Sequence, residues 1–201
     1  MASSQPRRPV IGVMGAGESA SARDCAHAED LGRRIAAAGW VLLSGGRACG
    51  VMAAANRGAK RVAGSLTVGI LPTRSGDVSP DVDVAVFTGM GDARNAINAL
   101  SSRVLIACGA GGPGTASEVA LALKSGTPVI LLGAPRSARE FFGGLAGVVR
   151  VAESPEQAIA LARELLEEPV PTANRPRAAR RASCSRKRRR RRRARARAAT
   201  R

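Results

Sequence analysis

The stretch "RVLIACGAGGPGTASEVALALKSG", Arg103 to Gly126, changes its pattern twice over a short length. A continuous apolar run comes first, and a turn crowded with glycines and one proline follows it. The remainder has apolar residues at helical spacing and ends at Gly126, a residue type that commonly ends helices. A buried strand, a glycine turn and a helix in this order are typical of α/β proteins with parallel strands.

The rest of the chain repeats this alternation. We expect buried strands at Pro9–Met14, Trp40–Gly45, Leu66–Pro72, Val82–Thr88, Arg103–Cys108, Thr127–Leu132 and Gly147–Ala152. Helical patterns separate most of them: "SARDCAHAEDLGRRIAAAG", "GVMAAANRGA", "ARNAINALSS", "TASEVALALKSG" and, last, "SPEQAIALARELLEE". Strands that are continuously apolar are buried on both faces. We therefore predict an α/β fold, a Rossmann-like doubly wound parallel sheet with helices on both faces.

The chain divides into one domain and two flanking segments. We predict a flexible N-terminus at residues 1–8, a Rossmann-like domain at 9–170 and a basic, disordered tail at 171–201. Within the last helical pattern, Ser154, Pro155 and Gln157 form a capping box that marks the start of a helix. Two prolines, Pro169 and Pro171, follow that helix and end the fold.

The tail carries most of the charge. Residues 173–201 contain fourteen Arg, one Lys and no acid, so they account for +15 of the formal net charge of +17. Such a segment cannot build a core. It fits non-specific nucleic-acid binding through phosphates, attraction to an anionic membrane surface, or a functionless end encoded by GC-rich sequence. The body of the chain is near neutral.

Composition excludes several classes of protein. The four cysteines have no metal-binding spacing and His27 is the single histidine, so we expect no metal site and reduced thiols in a cytoplasmic protein. The start, "MASSQPRRPV", lacks an apolar core, so we expect no signal peptide. No run of 18 apolar residues predicts a membrane span. Aromatic residues are 2% of the chain, too few for a base-stacking platform.

Three glycine-rich loops follow predicted strands: "GAGES", "SGGRACGVM" and "GAGGPGT". Glycine alone also serves tight turns in proteins without ligands. Three such loops at the carboxyl edge of one sheet favour a phosphate site, because backbone amides and helix N-termini bind anions. None matches a dinucleotide fingerprint or a P-loop. The predicted binding residues are Gly15, Gly17, Ser44, Gly45, Gly46, Gly50, Asn95, Gly111, Gly112, Gly114 and Thr115.

Two charged residues have both a local and a functional interpretation. Thr115 and Glu118 fit the pattern T-x-x-E, so the Glu118 carboxylate either caps a helix or faces a ligand. Arg94 and Asn95 stand near a predicted helix start, where a positive charge is unfavourable to the helix dipole. Arg94 is therefore either a solvated side chain or a residue that the site requires.

The motifs "SGGRACGVMAAANRGA", "TVGILP", "GDARN" and "GGPGTASEVALALKSGTPVILLG" occur in this order, and together they resemble the LONELY GUY (LOG)-like family. That family is often mislabelled "possible lysine decarboxylase". The residues of these motifs are most similar to those of its molybdenum-cofactor-carrier-like subgroup. The resemblance spans Pro9 to Val151 and implies a Rossmann-like fold, a homodimer or homotetramer and a phosphorylated small-molecule ligand, either a nucleoside monophosphate or molybdopterin.

The resemblance also implies an activity. LOG enzymes hydrolyse the N-glycosidic bond of nucleoside 5′-monophosphates, and Arg94 and Glu118 match their catalytic arginine and glutamate. The chain departs from them in several ways. Ala110 replaces a proline in a loop about one residue longer, and Ser117 replaces a second glutamate. Asp92 and Asn95 stand where the enzymes have a histidine and a lysine around the arginine. The sequence therefore leaves two functions open, a phosphoribohydrolase and a non-catalytic carrier of the molybdenum cofactor. Nothing supports a pyridoxal phosphate site or lysine decarboxylation.

Overall fold

A computed structural model describes residues 7–74, 76–109 and 111–168. These residues form a seven-stranded sheet in the order β4-β3-β2-β1-β5-β6-β7. All neighbouring strands are parallel. The strands are β1 (Val10–Gly15), β2 (Val41–Ser44), β3 (Leu66–Leu71), β4 (Val84–Phe87), β5 (Val104–Cys108), β6 (Val129–Leu132) and β7 (Val149–Ala152). The order reverses between β1 and β5, which is the topological switch point of a doubly wound sheet. The predicted fold class is confirmed.

Helices cover both faces of the sheet. They are α1 (Ala22–Ala37), α2 (Gly50–Lys60), α3 (Asn95–Ser101), α4 (Pro113–Ser125), α5 (Arg136–Gly143) and α6 (Pro155–Glu167). Side chains of α1, α2 and α6 pack in one core, and those of α3, α4 and α5 pack in the other. Strand β5 contributes to both, since Val104 and Ile106 lie in the first core and Leu105 and Ala107 in the second.

Strand β4 departs from the predicted burial. All four of its residues are exposed, although the sequence predicted a strand buried on both faces. The reason is its place in the sheet, because β4 is an edge strand that pairs only with β3. A continuous apolar run therefore does not distinguish an edge strand from a central one.

Helix α5 is missing from the sequence-based prediction. It has eight residues, and Phe142 is its buried residue. The short apolar face leaves little periodicity to detect. A local signal exists in the spacing of Arg136 and Glu140, whose side chains lie 2.6 Å apart, one turn from each other. The predicted start of α6 is confirmed, since Ser154 Oγ accepts a hydrogen bond from the Gln157 amide at 3.2 Å.

Helices α1 and α2 approach each other through glycine. A Cβ atom on Gly32 would overlap the carbonyl oxygen of Ala55, and one on Gly58 would overlap the carbonyl oxygen of Glu29. At both places a backbone group, which cannot rotate away, occupies the space. The two glycines therefore set the distance between helices that flank the loops after β1 and β2.

We predict that Gly32→Ala and Gly58→Ala each lower the free energy of unfolding by about 1–3 kcal/mol, the usual cost of overpacking. The loss should appear although alanine favours a helix by about 1 kcal/mol over glycine. Urea unfolding measures it. The control is Gly143→Ala in α5, where a Cβ meets no atom within 4 Å. Equal midpoints for Gly32→Ala and Gly143→Ala would contradict the close approach.

Candidate functional site

A cavity of about 180 Å³ lies at the carboxyl edge of the sheet, beside the switch point. The end of β1, the loop after β2 and the starts of α2, α3 and α4 form its walls, together with a short 3-10 helix, Gly91–Arg94, that precedes α3. Seven of the predicted site residues line it: Gly15, Gly45, Arg94, Asn95, Gly114, Thr115 and Glu118. Met14, Arg47, Met52 and Asp92 complete the lining.

Glu118 does not cap its helix. Helix α4 begins at Pro113, two residues before Thr115, and its N-cap residue Gly112 makes no side-chain cap. Glu118 therefore lies in the second turn, where the first-turn amides are out of reach of its carboxylate. Sequence spacing placed the helix start too late because Thr115 fits the capping pattern, whereas Pro113 takes the N1 position that proline prefers.

The Glu118 carboxylate is buried beside a neutral donor and a positive charge. Asn98 Nδ2 donates a hydrogen bond to Glu118 Oε1 at 2.7 Å, and Arg94 Nη1 lies 3.9 Å from the same oxygen. Only 5% of Glu118 is exposed. Burial raises the pKa of the Glu118 carboxyl, and the contacts with Asn98 and Arg94 oppose that rise. Burial is the larger effect.

Arg94 turns inward from the end of the 3-10 helix. Its Nη1 donates a hydrogen bond to the carbonyl oxygen of Ile70 at 3.1 Å, and 13% of the side chain is exposed. Burial lowers the pKa of Arg94, while Glu118 and Asp92 act in the opposite direction. Space for the guanidinium depends on Gly45, since a Cβ there would lie 2.6 Å from Arg94 Nη1. The structure thus places Arg94 in the cavity and excludes a solvated surface role.

The Ser44 hydroxyl stabilises the loop after β2. The residue is fully buried, and its hydroxyl accepts hydrogen bonds from the Gly46 amide at 3.1 Å and from Asn56 Nδ2 at 3.2 Å. Gly46 has a φ of +77° and packs on the Cα of Gly69. Neither Ser44 nor Gly46 lines the cavity, so both fix the course of the loop that carries Gly45 and Arg47.

Gly50 joins the first two loops. Its φ is +54°, and a Cβ there would overlap the carbonyl oxygens of Ala16 and Gly17. The next amide, that of Val51, donates to the Ala16 carbonyl at 3.0 Å. Gly17 and Gly50 therefore pack the start of α2 against the loop after β1 and do not line the cavity.

The loop before α4 contains the remaining predicted glycines. Gly111, at a φ of +61°, leaves room for the Thr115 side chain, whereas a Cβ on Gly112 or Gly114 would meet no atom within 4 Å. Asn95 donates to Ser117 Oγ at 2.7 Å, and Ser117 Oγ donates to the Gly114 carbonyl at 2.7 Å. The hydroxyl of Ser117, which replaces the second glutamate of LOG enzymes, thus links α3 to the first turn of α4.

Two helix N-termini give the site its preference for anions. Helices α2 and α4 both begin without a side-chain cap. Both helix dipoles attract negative charge, and Arg94 adds a buried positive charge. Arg47 adds a half-exposed one, 3.7 Å from Glu18. Because the Val51 amide of α2 donates to the Ala16 carbonyl, the amides that face the cavity are those of α4. Groups of this kind favour a phosphate or a similar oxyanion as a ligand.

Four lining residues escaped the prediction. Arg47 and Asp92 lie inside the quoted motifs "SGGRACGVM" and "GDARN", so a charged residue directly after a glycine was the available signal. The sequence predicts Met14 and Met52 to be core residues, because nothing in their spacing indicates that they line a cavity. Both depend on how far the loops withdraw from the sheet, which local sequence does not encode.

The structure bears less directly on the predictions about metal binding, membrane spans and the basic tail. In the described residues, no group of three or more His, Cys, Asp and Glu side chains has the geometry to hold a metal ion. Within the same ranges, no helix is long and apolar enough to cross a membrane. Ala110, the N-terminal residues 1–6 and the basic tail lie outside the described residues. Binding of nucleic acid by residues 173–201 stays a prediction.

Comparisons with known proteins identify a family and several similar structures. A family model described as the SLOG cluster4 family matches residues 8–159. An uncharacterized protein of Archaeoglobus fulgidus is 42% identical over 149 residues, which are 74% of this chain and 91% of that protein. The molybdenum cofactor binding protein from the phototrophic bacterium Rippkaea orientalis is 52% identical with a TM-score of 0.76, covering 81% of this chain and 99% of that one.

The molybdenum cofactor carrier protein MCP from Chlamydomonas reinhardtii is 49% identical, also with a TM-score of 0.76. The match covers 81% of this chain and 100% of that one. The resemblance to LOG-like proteins of the molybdenum-cofactor-carrier-like subgroup is confirmed.

The raised pKa of Glu118 predicts a pH-dependent stability. The folded chain retains a proton on Glu118 above the ordinary pKa of 4.5, where the unfolded chain loses it. The contribution of Glu118 to the free energy of unfolding is therefore fully present below pH 4.5 and is lost as the pH rises through the raised pKa. Glu118→Gln has no carboxyl to ionise. We expect its unfolding free energy to improve relative to the unmodified chain as the pH rises above 4.5.

Urea unfolding over a pH series measures this difference. The control is Glu164→Gln, which removes an exposed carboxyl on α6. A difference between Glu118→Gln and the unmodified chain that stays constant with pH would contradict the effect of burial.

Proposed function

The chain belongs to the SLOG cluster4 family, and we propose that it binds the molybdenum cofactor as a carrier, without chemical turnover. The observation that carries this proposal is the convergence of Arg94, Arg47 and the uncapped N-terminus of α4 on one small cavity. The similarity to a molybdenum cofactor binding protein and to a molybdenum cofactor carrier protein supports the same ligand.

The size of the cavity indicates which part of the ligand it holds. Its volume of about 180 Å³ is below the roughly 300–1,000 Å³ of typical small-molecule pockets. It suits a phosphate group better than a whole pterin. Molybdopterin has one phosphate and holds its metal through its own dithiolene sulfurs. A carrier therefore needs an anion site, and the protein need not supply metal ligands.

Each residue has a role in this proposal. The first-turn amides of α4, at Gly114 and Thr115, donate to the phosphate oxygens. Arg94 supplies a preformed fork of donors, and Arg47 adds charge at the rim. Asn98 holds the Glu118 carboxylate, which faces Arg94, and the Ile70 carbonyl accepts a hydrogen bond from the guanidinium.

The same geometry gives less support to a phosphoribohydrolase, the first of the two functions that the sequence left open. Glycoside hydrolysis generally uses two carboxylates, one as acid and one as base or nucleophile. Glu118 is 5% exposed and is engaged by Asn98, and Ser117 occupies the position of the second carboxylate. We retain hydrolysis as the second candidate because Arg94 and Glu118 do share the cavity.

Association and location are also proposals. Three exposed apolar side chains on β4, Val84, Val86 and Phe87, support a homo-oligomer. The absence of cysteine pairs in the sequence supports a cytoplasmic protein with reduced thiols. The arginine-rich tail supports non-specific contact with nucleic acid, which salt would weaken.

The proposal predicts that the purified chain retains molybdopterin. Protein isolated without oxygen is treated with an oxidant, and the released pterin is measured by fluorescence and mass spectrometry. We expect about threefold to fivefold less pterin with Arg47→Ala, the scale of a surface charge. Arg94→Lys, which keeps a charge beside Glu118 but loses the guanidinium fork, should retain at least about tenfold less.

The matched control is Arg103→Ala, an exposed arginine at the opposite edge of the sheet, just before β5. Equal retention by Arg47→Ala, Arg94→Lys and Arg103→Ala would remove the phosphate site from the proposal. Incubation with AMP and N6-substituted adenosine monophosphates tests the second candidate. Release of free base that stops in Glu118→Gln would replace the carrier with a hydrolase.

A further inference from the structure

A second, larger cavity lies at the same carboxyl edge, on the β6–β7 side of the switch point. Its volume is about 540 Å³, within the usual range for a small organic ligand. The start of α1, the loop after β6, the start of α5 and the end of β7 enclose it. The lining residues are Ser21, Arg23, Asp24, Gly133, Ala134, Pro135, Arg136, Arg139 and Glu153.

Most of the charge in this cavity is already neutralised. Arg139 makes two contacts with the Glu153 carboxylate, at 2.5 and 3.1 Å, and also donates to the Ala134 carbonyl. Arg136 pairs with Glu140 at 2.6 Å. Arg23 and Asp24 have no ion-pair or side-chain hydrogen-bond partner in the part of the chain that the structure describes. These two groups are free to meet a ligand.

The Asp24 carboxylate packs against the residue that follows β5. Ser21 Oγ accepts a hydrogen bond from the Asp24 amide at 3.1 Å, which fixes the first turn of α1. The carboxylate lies directly over Gly109, so that any Cβ on Gly109 would overlap both of its oxygens. Gly109 has a φ of +71°, which other residues rarely adopt. The contact therefore requires glycine for two reasons.

Gly109 lies against Asp24 of the larger cavity and precedes in the chain the helix α4 that lines the small one. It begins the loop that ends at Gly112, where α4 presents its amides to the small cavity. Three peptide units separate the two residues, so their Cα atoms are at most about 11 Å apart. That span suits a ligand with a phosphate at one end and a ring system at the other.

We propose that the larger cavity holds the pterin ring of the ligand and that the Asp24 carboxylate recognises its 2-amino-4-oxo pyrimidine edge. This edge presents a ring N–H beside an amino group, and a carboxylate accepts a hydrogen bond from each. The planar guanidinium of Arg23 lies beside Gly133 and stacks on flat rings. The inference rests on the proposed function, since it assigns the second half of the same ligand.

Guanine presents the same pair of donors, so GMP serves as the probe. IMP lacks the amino group, and AMP presents an acceptor in place of the ring N–H. Calorimetry with the full chain should give affinities in the order GMP, IMP, AMP. In Asp24→Asn we expect GMP to bind at least about fivefold more weakly, the scale of a lost bidentate pair, while AMP is unchanged.

The control is Asp81→Asn, at the amino end of β4 on the far edge of the sheet, which should bind all three nucleotides like the unmodified chain. Equal affinities for the three nucleotides, no binding of any of them, or a GMP preference that survives Asp24→Asn would each overturn the inference. In those cases recovery of molybdopterin with the chain leaves the carrier function standing. If GMP is preferred through Asp24 but no molybdopterin is recovered, the recognition by Asp24 stands and the proposed carrier function is overturned.

Discussion

The site is organised around a positive charge that the fold withdraws from water. Arg94 points below the loop surface, where its Nη1 reaches the Ile70 carbonyl and lies 3.9 Å from the Glu118 carboxylate. Removing both charges from water is costly, and their attraction repays the cost only with additional hydrogen bonds. Asn98 supplies one to Glu118, and the missing side chain of Gly45 leaves room for the guanidinium. Several residues whose place in the sequence suggests ligand binding therefore stabilise one buried ion pair.

The glycines divide accordingly into two groups. Gly46 and Gly50 bring backbone segments into contact and so determine where the loops run. Gly112 and Gly114 have open space where a Cβ would lie, and they leave the amides of α4 accessible. A sequence shows all of them as the same letter. Their different tasks follow from packing between loops that are far apart in the chain.

Much of the fold was predictable because its elements are marked locally. Continuous apolar strands, helical spacing and the cap at Ser154 need no knowledge of the rest of the chain. The exposure of β4 was not predictable, since it depends on the final order of the strands. Helix α5 has too small an apolar face to produce a periodic signal, and Glu118 fits a capping pattern that Pro113 overrides by starting the helix earlier. The residues of the small cavity were largely predicted, whereas Met14 and Met52 required the three-dimensional arrangement of the loops.

The burial of Glu118 also constrains how such a site can change in evolution. Replacing Arg94 alone would leave a carboxylate with little access to solvent and no positive neighbour, and replacing Glu118 alone would do the same to the guanidinium. Related proteins that remain stable therefore change Arg94 and Glu118 together. Alternatively, Glu118 is protonated first, and the neutral carboxyl then tolerates the loss of Arg94. Position 45 belongs to the same unit, because a larger residue becomes acceptable only after the arginine has gone. Positions 45, 94 and 118 should vary together across related chains.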